Sequence, residues 1–126
     1  MNKKILVAED SSVIQNLTRR ILTLQNYDIS SVKNGAQVLE KLNSEKFDLV
    51  LLDIHMPIMD GMQCAKEVRK LSKEHNGDIP IIAITGNANN YTEADFKNAG
   101  IDGYLPKPLN YDTLVETVNS YMANGN

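Results

Sequence analysis

The chain has 126 residues, 42% of them hydrophobic, which is enough for one domain built on one core. Its formal net charge is −3 and its basic residues are dispersed, which argues against binding driven by nucleic-acid phosphates, and these residues leave no room for a separate DNA-binding domain. The lone Cys64 rules out an intrachain disulfide and suits a reducing compartment, and no apolar run nears the ~20 residues of a membrane span, so a cytoplasmic protein without membrane contact is expected.

Met1-Asn2-Lys3-Lys4 leads into a short apolar run rather than a signal peptide. That run, Ile5-Leu6-Val7-Ala8, is one of three that do not alternate with polar residues; the others are Leu49-Val50-Leu51-Leu52 and Ile81-Ile82-Ala83-Ile84. Such length and composition predict strands buried on both faces, hence a parallel sheet covered by helices. After the first run, Ser12 can cap a helix whose Val13, Leu17, Ile21 and Leu24 recur every three or four residues as an inner face. A weaker strand fits Ile29 to Val32, and a helix from Gly35 to Leu42 carries Val38, Leu39 and Leu42 on one side. Asp60-Gly61 introduces a third helix marked by Met62, Ala65, Val68 and Leu71, on which Cys64 reads as a small apolar filler. His75 falls at the surface near a helix end, and Asn87 to Asn90 read as a solvated loop. Thr92 and Asp95 have the spacing of a capping box, with Asp for the usual Glu or Gln, and Ala99-Gly100 closes the helix they open. A short strand at Gly103 to Leu105 precedes Asn110, which can cap a last helix with Leu114, Val115, Val118 and Tyr121 or Met122 inward. The pattern is βα repeated five times, a single doubly wound α/β domain over residues 1–126 with right-handed crossovers.

In such sheets ligands bind at the carboxyl ends of the strands. Glu9-Asp10 follow the first strand, Asp53 closes the third, Thr85 closes the fourth and Lys107 follows the fifth. Three carboxylates on one rim repel one another unless compensated. With Lys107 they leave a charge of about −2, which one hydrated Mg²⁺ neutralises. These residues suit phosphoryl transfer, which asks for positioning and charge stabilisation more than covalent work. One carboxylate attacks in line, a metal bridges it to a phosphoryl oxygen, and a cation and a hydroxyl hold the other oxygens.

The chain resembles the receiver domains of bacterial response regulators, the phosphoacceptor modules of two-component signalling. The resemblance rests on Glu9-Asp10, on Asp53 after Leu49-Val50-Leu51-Leu52, on Met56-Pro57-Ile58-Met59-Asp60-Gly61, on Thr85, and on Tyr104-Leu105-Pro106-Lys107-Pro108. It covers essentially the whole chain and implies a flavodoxin-like sheet of order 2-1-3-4-5. It further implies that Asp53 takes a phosphoryl group from the phosphohistidine of a sensor histidine kinase or a histidine phosphotransfer protein. Asp10 and Asp53 would be direct Mg²⁺ ligands, Glu9 a ligand through water, and the His55 backbone carbonyl the remaining protein ligand. Thr85 would hydrogen-bond a phosphoryl oxygen and Lys107 would pair with it, aimed by a cis peptide before Pro108. Tyr104 would turn inward when Thr85 moves, switching the face built from the fourth helix, fifth strand and fifth helix. Met56 and Met59 read as loop and core packing.

Two positions depart from the familiar pattern. Gly86 follows Thr85 where Ala is frequent, and His55 stands where Asn is common; its side chain would either border the phosphoryl group and bear on the lifetime of the phosphorylated state, or point to solvent and leave only its carbonyl in use. An Asp-nucleophile phosphatase of the haloacid-dehalogenase type would carry an acid at position 55 and its nucleophile on the first strand. A nucleotide or flavin binder would need a Gly-rich loop after the first strand, where Glu9-Asp10-Ser11-Ser12 stand instead. The complete acceptor, metal and Lys set also argues against a degenerate receiver that only binds partners. Gly100-Ile101-Asp102-Gly103-Tyr104-Leu105 with Lys107-Pro108-Leu109 resembles receivers attached to hybrid histidine kinases, so a stand-alone regulator and a kinase-attached receiver both remain open.

Overall fold

Continuous apolarity at strand length does produce a covered parallel sheet. In a computed structural model, which describes residues 2–86 and 91–124, the strands are β1 (Lys4–Ala8), β2 (Asp28–Val32), β3 (Leu49–Asp53), β4 (Ile81–Thr85) and β5 (Gly103–Pro106). All pair in parallel in the order β2-β1-β3-β4-β5. The loop expected at Asn87 to Asn90 lies outside the described residues. Every residue of β3 and β4 is buried, as strands with helices on both faces require.

Side chains alternate between two cores, as the pleat dictates. Leu6, Ala8, Val50, Leu52, Ile81 and Ala83 point to the side covered by α2 (Gly35–Ser44), α3 (Gly61–Arg69) and α4 (Glu93–Asn98). Ile5, Val7, Leu49, Leu51, Ile82 and Ile84 point to the side of α1 (Ser12–Leu24) and α5 (Tyr111–Asn124). Each fully buried Leu or Ile contributes about 1.5–3 kcal/mol relative to exposure. Cys64 is buried between α3 and α2, its thiol 3.7 Å from the Gly35 carbonyl, as its reading as a filler required. Met56 is buried and Met59 packs against the same core.

The caps agree with the sequence at three helices. Asp60 accepts from the Gln63 N–H at 2.9 Å, and Asn110 from the Thr113 N–H at 3.1 Å. Thr92 and Asp95 form the full capping box, at 3.1 and 2.8 Å. Gly100, at φ +85°, ends the α4 turn in the left-handed region open to glycine.

The first helix needs two corrections. Its cap is Ser11, whose hydroxyl accepts from the Ile14 N–H, rather than Ser12. Its buried residues are Thr18 and Leu22, while Val13, Leu17 and Leu24 are exposed at 78%, 41% and 79%. The helix has apolar residues on two neighbouring stripes, and the buried one is interrupted by the polar Thr18.

The end of the sheet remote from the strand carboxyl termini is tied by the side chains of Arg69, Asp102, Tyr121 and Asn76. Arg69, from the end of α3, donates to the carbonyls of Gly100 and Gly77 and to the Asp102 carboxylate, all within 3.0 Å. Asp102 also accepts from the Ile81 N–H at 2.8 Å, and its carbonyl accepts from the Tyr121 hydroxyl at 2.9 Å. Asn76 follows a 3₁₀ turn over Lys73–His75 at φ +68°. From there it donates to the carbonyls of Leu42 and Glu45 at 2.8 Å and accepts from the Phe47 N–H at 3.2 Å.

Candidate functional site

Of the residues singled out from the sequence, the opposite rim brings Glu9, Asp53, Thr85 and Lys107 together. Register brings Ala8 beside Leu52, Asp53 beside Ile84 and Thr85 beside Pro106, so the ends of β1, β3, β4 and β5 lie side by side. Asp53 is 1% exposed. One carboxylate oxygen accepts from the Lys107 ammonium at 3.0 Å and the other from the His55 N–H at 3.1 Å. The Lys107–Pro108 peptide is cis, and the Lys107 N–H donates to the Thr85 carbonyl at 2.8 Å.

Glu9 is 4% exposed. Its Oε2 accepts from the Ser11 N–H at 3.0 Å, while Oε1 stands 3.7 Å from Lys107 Nζ, beyond hydrogen-bond reach, with no hydrogen-bond partner among the described residues. Burial raises the Glu9 carboxyl above its ordinary value, and the neighbouring Asp53 pushes the same way against the Ser11 N–H and Lys107. Asp10 and His55 are exposed at the mouth, and Thr85 is fully buried. Among the described residues, the Lys107 ammonium therefore serves two buried carboxylates.

Among the described residues, no group of three or more His, Cys, Asp or Glu side chains forms a ready cage for a metal. Mg²⁺ does not require such a cage, since it keeps several waters and takes only one or two carboxylates. The buried Glu9 Oε1, without a hydrogen-bond partner among the described residues, is the kind of acceptor such a hydrated ion satisfies. The residues present therefore fit a hydrated divalent cation.

Tyr104 lies further along β5, 40% exposed, its ring stacked on Phe96 of α4 at 4.8 Å and 15°. It is thus directed outward in this conformation. Gly86 borders Lys107, and an apolar groove of ≈ 450 Å³ beside it is lined by Ile14, Gly86, Lys107, Pro108, Leu109 and Tyr111. Sequence reasoning missed Gln15, whose carboxamide reaches the carbonyls of Glu9 and Val32; a polar residue early in a helix carries no local signal of that contact.

Residues 5–119 match the family of the response regulator receiver domain. The chain is 36% identical, over 94% of its length, to hybrid signal transduction histidine kinase I of Dictyostelium discoideum, and spans 7% of that protein. Among solved structures it is similar to response regulator TrrA of Thermotoga maritima in complex with Mg²⁺ and BeF, with 34% identity, TM-score 0.83, and 94% of this chain and 98% of that one covered. It is also similar to the receiver domain of a Pseudomonas aeruginosa sensor histidine kinase with magnesium coordinated in its active-site cleft, at 27% identity and TM-score 0.87, covering 98% and 99%.

Proposed function

Because the chain belongs to the response regulator receiver domain family, we propose that Asp53 is the residue on which it accepts a phosphoryl group in two-component signalling. The observation that carries this reading is the buried Asp53 carboxylate at the end of the central strand, held by Lys107 and the His55 N–H beside Glu9. An Asp53 oxygen attacks phosphorus in line as the bond to the donor's histidine nitrogen breaks, and that nitrogen leaves with the electron pair. Lys107 follows the new negative charge from the carboxylate onto a phosphoryl oxygen, and the Thr85 hydroxyl takes another. Asp10, Asp53 and the His55 carbonyl would hold Mg²⁺, with Glu9 acting through water. When bound, the ion supplies charge neutralisation for the attacking oxygen and the phosphoryl group.

The donor is the phosphohistidine of a sensor histidine kinase or of a phosphotransfer protein. It approaches over the apolar groove beside Lys107, which Ile14 of α1 also lines. The phosphoryl group adds about −1.5 to −2 charges, by analogy with other phosphorylated side chains. It draws Thr85 and Lys107 toward it, and Tyr104 leaves its stack on Phe96 to turn inward, changing the α4–β5–α5 face. The same chemistry serves a stand-alone regulator and the receiver segment of a hybrid kinase.

Incubation with a small acyl phosphate and Mg²⁺ tests the acceptor. One phosphoryl mass is expected on the intact protein, lost in Asp53→Asn and absent with chelator. Labelling of the Asn variant at the wild-type rate would overturn the assignment.

A further inference from the structure

Gln15 stands in the first turns of α1, its backbone N–H donating to the Ser11 carbonyl at 2.9 Å, so it is mounted on the capped start of the helix. Its side-chain Nε2 donates to two carbonyls at once, Val32 at 2.9 Å and Glu9 at 3.1 Å. The Val32 carbonyl also accepts from the Glu9 N–H at 3.0 Å, closing a ring of three hydrogen bonds just past the last β1–β2 pair, Ala8 and Val32. That ring holds the backbone of Glu9 on both sides of its Cα. The peptide that carries the Glu9 carbonyl is the one that leads into Asp10, so fixing this carbonyl fixes the direction in which Asp10 leaves the strand.

We infer that Gln15 is a positioning residue for the acidic pair, setting where Glu9 and Asp10 present their carboxylates to a divalent cation through the bracket it makes to the Glu9 and Val32 carbonyls. The inference rests on the proposed reading of Glu9 and Asp10 as metal-binding residues. Gln15 touches neither the metal position nor the phosphoryl group; it acts through the main chain. Outer-shell hydrogen bonds that orient ligands are typically worth 10–100-fold in metal affinity. The Gln15 link runs through backbone rather than through a ligand side chain, and the lower end of that range is expected.

The experiment is a titration with Mg²⁺ alone, following backbone amide shifts at residues 9, 10 and 53 by NMR, on wild type, Gln15→Met and Arg69→Ala. Met keeps the length of the side chain and removes the donor. Wild type should show saturable shifts at these positions, and Gln15→Met should bind about 10-fold more weakly. Arg69→Ala lies at the far end of the sheet, so it should lower thermal stability and leave Mg²⁺ affinity unchanged, separating positioning from general loosening. Equal affinity for wild type and Gln15→Met overturns the inference and leaves the metal site standing. Absence of any shift in wild type overturns the metal site and the inference with it. Should Gln15→Met fail to fold, the wild-type side-chain amide decides. Its protons should exchange at least 10-fold more slowly than those of the exposed Gln25, and equal exchange means that the bracket does not form in solution.

Discussion

Two glycines flank the candidate site, and the space around them predicts opposite outcomes for the same substitution. A Cβ on Gly61 would stand 2.7 Å from the Asp53 carbonyl oxygen and 2.7 Å from the Ile54 Cα, both backbone atoms that cannot swing away. The Gly61 N–H also donates to the Ile54 carbonyl at 2.9 Å, which holds the start of α3 against the end of β3. Ordinary contact begins at 3.4 Å, so the Asp53–Ile54 backbone must retreat by about 0.7 Å in Gly61→Ala. Overpacking of that kind costs about 1–3 kcal/mol, near 4–11 °C in Tm for a chain of this length. Displacing a nucleophile by most of an ångström lowers the rate by about 10–100-fold. A Cβ on Gly86 would meet Lys107 Cδ and Cβ at 3.8 and 3.9 Å, ordinary contact, so Gly86→Ala should label as fast as wild type with an unchanged Tm. The assay is the initial rate of labelling by a small acyl phosphate, read by intact mass at 20 °C, with Tm from thermal scanning of the same samples. Wild-type rate and Tm in Gly61→Ala would refute the close packing of α3 on Asp53, and with it the account of how the acceptor is held.

Ile58 sits at φ +71° in a three-residue turn closed by the Met59 N–H on the Pro57 carbonyl at 2.7 Å, and it is 81% exposed, so little packing offsets the strain. Ile58→Asn should stabilise by about 1 kcal/mol, because Asn tolerates a positive φ that a β-branched residue avoids; a urea midpoint at or below wild type would count against this. Burial pushes the Cys64 thiol up to about 12. The neutral buried thiol therefore contributes stability in full below the ordinary thiol range and loses it as pH rises toward 12. At pH 8 a thiol reagent should react with Cys64 only as fast as the protein opens, accelerating with denaturant in step with global unfolding, and rapid labelling of native protein would contradict the burial.

The strands were legible because burial on both faces removes alternation, and β3 and β4 show that signal undiluted. Thr92 with Asp95, Asp60 and Asn110 were legible because caps are local, requiring only a polar side chain within four residues of a free N–H. The site was legible as a set, since Glu9, Asp53 and Lys107 fall at strand ends and parallel pairing brings those ends together. The face of α1 was not. Val13, Leu17 and Leu24 satisfy helical periodicity as well as the true inner stripe through Thr18 and Leu22 does, and only the sheet beneath chooses between them. Asn76 was unreadable for a similar reason, because its partners lie 29 to 34 residues away in sequence. The outward setting of Tyr104 depends on the Phe96 ring, a contact between separate elements.

The knot around Arg69 and Asp102 has a mechanical meaning for α4. The C-terminal end of this helix is bolted down: the Ile101 N–H reaches back to the Phe96 carbonyl at 2.9 Å, Arg69 holds the Gly100 carbonyl at 2.9 Å, and Asp102 is bound to β4, α3 and α5. Any displacement of α4 that follows Tyr104 must then be a rotation about that fixed end rather than a translation of the whole helix. Six residues make a lever about 9 Å long, so a swing of about 20° carries its first turn by about 3 Å and its last turn hardly at all. A partner resting on Glu93 and Ala94 receives nearly the full stroke, whereas one seated on Lys97 and Asn98 sits at the fulcrum and receives almost none of it.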